Sequence, residues 1–86
     1  FPNPHNGETT IPFTLKNHSE VSFGIFDLHG RKVAEVKPTK MEAGEHKMEI
    51  SLNNLKLPMG TYAYEITVKN SIGTYHQCKL MTGGKE

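Results

Sequence analysis

The chain predicts an all-β fold, an antiparallel immunoglobulin-like β-sandwich of about six to seven strands. Three observations carry that prediction. Apolar and polar residues alternate with a period of two through most of the sequence. Gly, Pro and Asn clusters cut it into short runs. No stretch shows the i, i+3, i+4 apolar spacing of an amphipathic helix.

The first strand is expected over residues 9–16, with Ile11, Phe13 and Leu15 on one side and Thr10, Pro12 and Thr14 on the other. Pro12 has no N–H for a ladder, so this strand belongs at a sheet edge or breaks where the chain changes sheets. After the polar turn Asn17-His18-Ser19, residues 20–27 alternate Val21, Phe23 and Ile25 against Ser22, Gly24 and Phe26. Asp27-Leu28-His29-Gly30 then reads as a turn, in which the carboxylate caps backbone N–H groups and Gly30 tolerates positive φ. The return strand, 31–37, carries Val33, Ala34 and Val36, whose broken alternation predicts a bulge or an exposed edge. Residues 38–44 read as a loop closed by Ala43-Gly44, and 46–52 as a strand presenting Met48, Ile50 and Leu52.

Asn53-Asn54 ends that strand, and Leu55 and Leu57 in the Pro-interrupted segment that follows are expected to plug the open end of the core. Residues 61–69 alternate Tyr62, Tyr64, Ile66 and Val68 against Ala63, Glu65, Thr67 and Lys69. A tight turn at Asn70-Ser71-Ile72-Gly73 leads into the last strand, 74–82. That strand has His76, Cys78 and Leu80 on one face and Tyr75, Gln77, Lys79 and Met81 on the other. Gly83-Gly84-Lys85-Glu86 reads as a flexible tail. The expected core is Ile11, Phe13, Val21, Phe23, Ile25, Met48, Ile50, Leu52, Tyr62, Tyr64, Ile66 and Leu80.

At 86 residues the chain predicts a single domain over residues 1–86. A chain this short buries only about 60–65% of its unfolded surface, which leaves little to wall off a water-free active site. Ten Lys and Arg against nine Asp and Glu, a net charge of +1, provide no clustered basic face for nucleic acid. No apolar run approaches the ~18–20 residues that span a bilayer as a helix. The chain starts at Phe1 rather than Met, so we expect it to be excised from a longer polypeptide carrying any targeting signal upstream. One cysteine, Cys78, excludes an internal disulfide.

Candidate chemistry is sparse. The histidines at 5, 18, 29, 46 and 76 have no metal-ligand spacing, so no metal is expected. His76 and Cys78 share a strand face without a Gly-rich elbow or helix N-terminus to activate the thiol, and Cys78 is expected as a small buried side chain near a sheet rim. Tyr62, Tyr64 and Tyr75 could stack on sugars, but alternation assigns the first two to the core and there is no Trp. The carboxylates are scattered singly, with no general acid/base pair. Neither catalysis nor a cofactor is expected.

Two features remain. The chain opens on Phe1-Pro2-Asn3-Pro4, a stiff extended lead-in, and Gly30, Gly44, Gly60 and Gly73 border strands. Together with the strand pattern, these resemble the C-terminal sorting domain, type A, of the type IX (Por) secretion system of Bacteroidetes. The resemblance runs in order along nearly the whole chain. Pro2-Asn3-Pro4 stands in the family's opening motif, and Thr10-Ile11-Pro12-Phe13 is similar to its first strand. Asp27 and Gly30 lie in its Asp-x-x-Gly turn, and Ala43-Gly44-Glu45-His46 matches its Ala-Gly-x-His turn. Leu57-Pro58-Met59-Gly60-Thr61-Tyr62 matches Leu-Pro-x-Gly-x-Tyr, and Lys79-Leu80-Met81 the last strand.

The resemblance implies an address tag without chemistry of its own. It implies a passenger protein upstream that crosses the inner membrane by a signal peptide, folds in the periplasm and is carried to the outer-membrane surface or beyond. The implied partners are the outer-membrane secretion machinery and a sortase-like peptidase, which removes the tag before Phe1 and joins the passenger to anionic lipopolysaccharide. Lys79, Leu80, Met81 and Lys85 are the implied recognition residues. Here the tail Thr82-Gly83-Gly84-Lys85-Glu86 departs from the family's apolar finish, so Lys85 stands for the terminal base on a tether or the tail is altered. The other readings are an immunoglobulin-like spacer resembling the flagellar hook-capping domain, from which a Trp-Asp-Gly is missing here, and a carbohydrate-binding module.

Overall fold

A computed structural model describes residues 7–83, with the backbone alone for residues 82 and 83. It contains six strands: β1 (Glu8–Leu15), β2 (Ser19–Phe26), β3 (Lys32–Met41), β4 (Gly44–Ser51), β5 (Gly60–Lys69) and β6 (Thr74–Gly83). All pairings are antiparallel, in a four-stranded sheet of order β3-β2-β5-β6 and a two-stranded sheet of β1 and β4. The predicted sandwich is therefore present, with six strands and no helix among the described residues.

Alternation places Val21, Phe23 and Ile25 of β2 opposite Val68, Ile66 and Tyr64 of β5, and these side chains form the floor of the core. Ile11 and Leu15 of β1, Ile50 of β4 and Leu52 just beyond it close the core from above. Phe13 and Met48, expected inside, are half-buried and pack against it. The Phe13 ring meets Phe23 edge-on at 5.9 Å and stacks on His46 at 5.5 Å. Leu55 and Leu57 turn in against the same cluster, as expected of a plug. Their turn closes through Leu55 N–H to Ser51 O and Leu57 N–H to Leu52 O.

Three expectations are corrected. Leu80 is 71% exposed, and Met81, 4% exposed, takes its place in the core. The last strand has apolar side chains on both faces, so alternation alone does not say which face is inward. Pairing decides it: Met81 lies opposite buried Tyr62, and Leu80 opposite Ala63 on the outer face. Cys78, opposite Glu65 on that outer face, is exposed rather than buried for the same reason.

The third correction is that residues 38–41 are not loop but the end of β3. β3 is an edge strand, and its register slips between the pairs Val21–Thr39 and Phe23–Val36, so Lys37 and Pro38 together oppose Ser22. A proline without an N–H is tolerated at such an irregularity. The second slip, at Val33, is the bulge that its broken alternation predicts. Of the expected tail, Gly83 ends β6 opposite Gly60, and 84–86 lie outside the described residues.

Candidate functional site

The residues singled out by motif are separated in sequence, and the sheet brings most of them to one end. Phe26, at the end of β2, pairs with Ala63, and Ala63 with Leu80. The Asp27–Gly30 turn, the Pro58–Tyr62 segment and Lys79–Met81 therefore share one pole of the four-stranded sheet. Gly7 joins them, since its carbonyl accepts the Leu52 N–H at 2.9 Å and Met59 lies against its Cα. Gly44 stands apart at the opposite pole, paired with Leu15. Pro2, Asn3, Pro4 and Lys85 lie outside the described residues.

Each motif at this pole has a definable local role. The Asp27 carboxylate accepts hydrogen bonds from the His29 and Arg31 N–H groups at 2.9 and 3.0 Å, and from Arg31 Nε at 2.8 Å. Gly30 closes the turn onto the Asp27 carbonyl at φ +83°, where a Cβ would be strained. The Arg31 backbone N–H first, then the Arg31 side chain and the His29 N–H, holds the Asp27 carboxyl below its ordinary 3.8, against a partial desolvation effect. A depressed folded-state pKa means stability that is present above the unfolded value and lost as the group protonates. Asp27→Asn is therefore expected to lower the melting temperature at neutral pH. The difference from wild type should shrink as pH falls from about 5 towards about 2, read by thermal melts across that range.

In the Leu-Pro-x-Gly-x-Tyr segment, Tyr62 OH donates to the Pro58 carbonyl at 2.5 Å while its ring is buried. This is the geometry of a tyrosine corner, a phenol reaching back to backbone a few residues upstream at the start of a strand. It fixes the angle at which the chain enters β5. Asp27 and Gly30 thus close the β2–β3 turn, and Pro58 and Tyr62 set the entry to β5, the strand that β6 pairs with.

β6 is an edge strand whose only ladder partner among the described residues is β5. From Thr74 to Leu80 every residue is exposed. Lys79 lies opposite Tyr64 and Leu80 opposite Ala63, so the two leave the strand on opposite faces, and Met81 anchors the strand end in the core. Of the four predicted recognition residues, the three described ones are thus contiguous but divided among a solvated cation, a solvated apolar group and a buried anchor. Sequence reasoning weighed Tyr75, which is 55% exposed, only as a sugar-stacking residue and gave Gln77 no role, although both lie on the Lys79 face. Their inclusion in an edge strand becomes visible only with the sheet order.

Other candidate chemistry is dispersed. His18 lies 3.3 Å from Glu42, His46 Nε2 2.7 Å from the Glu42 carbonyl, and His76 3.1 Å from Thr67 Oγ1. No group of three His, Cys, Asp or Glu able to hold a metal occurs among the described residues. Tyr62 and Tyr64 are in the core, and burial pushes the Tyr64 phenol up. Tyr75 is left as the one exposed tyrosine of the three, so no aromatic platform forms.

No curated protein and no solved structure matches the chain. The family model of the secretion system C-terminal sorting domain matches residues 1–79, from the Pro-Asn-Pro opening to Lys79 of β6. The chain belongs to that family, the C-terminal sorting signals of type IX secretion.

Proposed function

We propose that this domain directs an upstream passenger across the outer membrane by presenting the end of β6 to the outer-membrane part of the secretion machinery. The observation that carries the reading is β6 itself, an edge strand solvated on both faces from Thr74 to Leu80 and tied down at Met81. An edge offers unpaired N–H and C=O groups that a partner chain can pair with. Lys79, Leu80 and Lys85 supply the side-chain contacts, and Met81 holds the strand in place.

In this reading residues 1–86 act as one unit without catalysis or cofactor. The passenger passes through the periplasm, and a sortase-like peptidase separates it from the tag before Phe1 and attaches it to anionic lipopolysaccharide at the surface. Asp27, Gly30, Gly44, Pro58, Gly60 and Tyr62 keep the tag folded, and the Pro2-Asn3-Pro4 lead-in separates it from its cargo.

A passenger fused to residues 1–86 and expressed in a host with type IX machinery tests the proposal. Deleting residues 79–86 is expected to leave the passenger in the periplasm, as read by fractionation and surface proteolysis. Because that deletion also removes the buried Met81, a shorter deletion of 82–86 keeps the core anchor and is expected to have the same effect. Undiminished export of both truncations would sink the reading.

A further inference from the structure

Each sheet has two edge strands, and one from each, β1 and β6, lie together on one flank of the sandwich. β1 pairs with β4 and β6 with β5, and among the described residues neither has a second neighbour. Residues 9–12 of β1 lie against 79–81 of β6, and residues 13–15 against 75–77. The two strands therefore run antiparallel beside one another without a ladder between them. Three hollows, of about 250, 510 and 400 Å³, follow this seam from Met81 to the turn at Asn70. Its floor is apolar, formed by Tyr64, Ile66 and Val68 of β5.

Charge distinguishes this flank from the other. The seam is lined by Lys16 and Lys79 and by no carboxylate. The hollow between β3 and the β1–β4 sheet, about 390 Å³, is lined by Glu8 at the start of β1, Glu35 of β3 and Glu49 of β4 and by no Lys or Arg. In a chain of net charge +1, the β1–β6 flank is thus the basic one, and a carboxylate entering it meets Lys79 without repulsion.

We propose that the β1–β6 seam receives an extended segment of a partner chain that carries a carboxylate, added as a strand along β6 with the carboxylate beside Lys79. The proposal rests on the reading of β6 as the strand presented to the export machinery. It goes further by assigning the contact to the seam side of that strand, with Leu80 at its rim, and by stating the partner's chemistry. β6 is the templating edge because β1 carries Pro12, which lacks an N–H, midway along its length, whereas β6 has no proline. Residues 75–81 provide a run of about 23 Å for main-chain pairing at ~3.3 Å per residue. Every second side chain of the added strand would lie beside Tyr75, Gln77 and Lys79 on the face of β6 turned towards β1. Backbone pairing supplies affinity and the alternate side-chain positions supply selectivity.

The test compares the two faces of one strand in a passenger fused to residues 1–86. Gln77→Glu and Lys79→Glu bring carboxylates into the seam. Thr74→Glu and Cys78→Gln change the outer face, the first opposite Lys69. All four positions are exposed. Each seam variant sets a new carboxylate against the partner's own, and 1.4 kcal/mol of such repulsion is a factor of ten, so the seam variants are expected to lower surface-displayed passenger by about tenfold or more. Lys79→Arg and the two outer-face variants are expected to export as wild type, with unchanged melts confirming folding.

Loss confined to the outer-face variants, or equal loss on both faces, overturns the seam assignment. So does full export of all four variants while the 82–86 truncation is blocked, an outcome that leaves the broader reading standing. A photocrosslinking phenylalanine at position 77 or 78 provides a readout independent of variant stability. Adducts from position 77, mapped by mass spectrometry to an extended carboxylate-bearing segment of an outer-membrane component, are expected. Adducts from position 78 alone, or a crosslinked segment without a carboxylate, overturn the proposal.

Discussion

Leu52→Ala is expected to destabilise the domain by ~2–5 kcal/mol, the range for emptying a fully buried leucine site. Leu52 is 0% exposed and follows the end of β4 at the pole that carries the sorting motifs. Its N–H donates to the Gly7 carbonyl, its own carbonyl accepts from Leu57, and its Cβ lies 3.3 Å from where a Gly7 side chain would begin. The site is held by backbone on two sides, so it cannot readily collapse onto the missing atoms, which favours the upper part of the range. At ~0.05–0.15 kcal/mol per residue, a chain of 86 residues has only about 4–13 kcal/mol in total. The variant should therefore lose at least about a sixth of it, and most of it if the domain lies at the low end. With no Trp in the chain, urea unfolding is best followed by far-UV circular dichroism. Leu28→Ala, at a site 67% exposed, is the control and should stay within about 0.5 kcal/mol of wild type. A loss below about 1 kcal/mol for Leu52→Ala would mean that this end of the core is not packed as described.

Ser19→Ala should cost ~1–3 kcal/mol, because it removes two part-buried hydrogen bonds of ~0.5–1.5 kcal/mol each. Ser19, 2% exposed, is the buried polar residue among the described side chains. Its hydroxyl donates to the Asn17 carbonyl at 2.7 Å and accepts from Asn70 Nδ2 at 3.0 Å. The Asn70 side-chain oxygen in turn accepts the Ile72 and Gly73 N–H groups at 2.9 and 3.3 Å. One serine thus ties the β1–β2 turn to the β5–β6 turn and fixes where β6 begins. Asn70→Ala should cost a similar amount, and the double variant less than the sum, since both remove the same bond. Additive losses in urea melts would mean that the two turns are not coupled.

Local pattern in this chain carries most of the strand assignments. A half-buried strand declares itself by alternation, so β1, β2, β4 and β5, each with one clearly apolar face, are legible residue by residue. The Asp27–Gly30 and Asn70–Gly73 turns are legible because their capping side chains act within four residues. The resemblance to the sorting domains is legible for the same reason: its motifs are turns and strand starts.

β6 is the exception, and it is also the candidate site. Its two faces are similar in polarity, so the exchange of Leu80 for Met81 in the core, and the exposure of Cys78, follow only from register against β5. The extension of β3 through Pro38 likewise depends on its being an edge strand that can slip past Ser22. The Ser19–Asn70 link spans 51 positions and leaves no local trace.

By itself the sequence determined the all-β class, the number and place of most strands, the turn chemistry and the family, since each is written in short-range periodicity and spacing. Only the tertiary structure decided which strands are edges, which face of β6 is inward, and that the basic seam between β1 and β6 stands open. Those properties belong to pairs of strands distant along the chain, and period-two alternation is blind to which neighbour a strand will find.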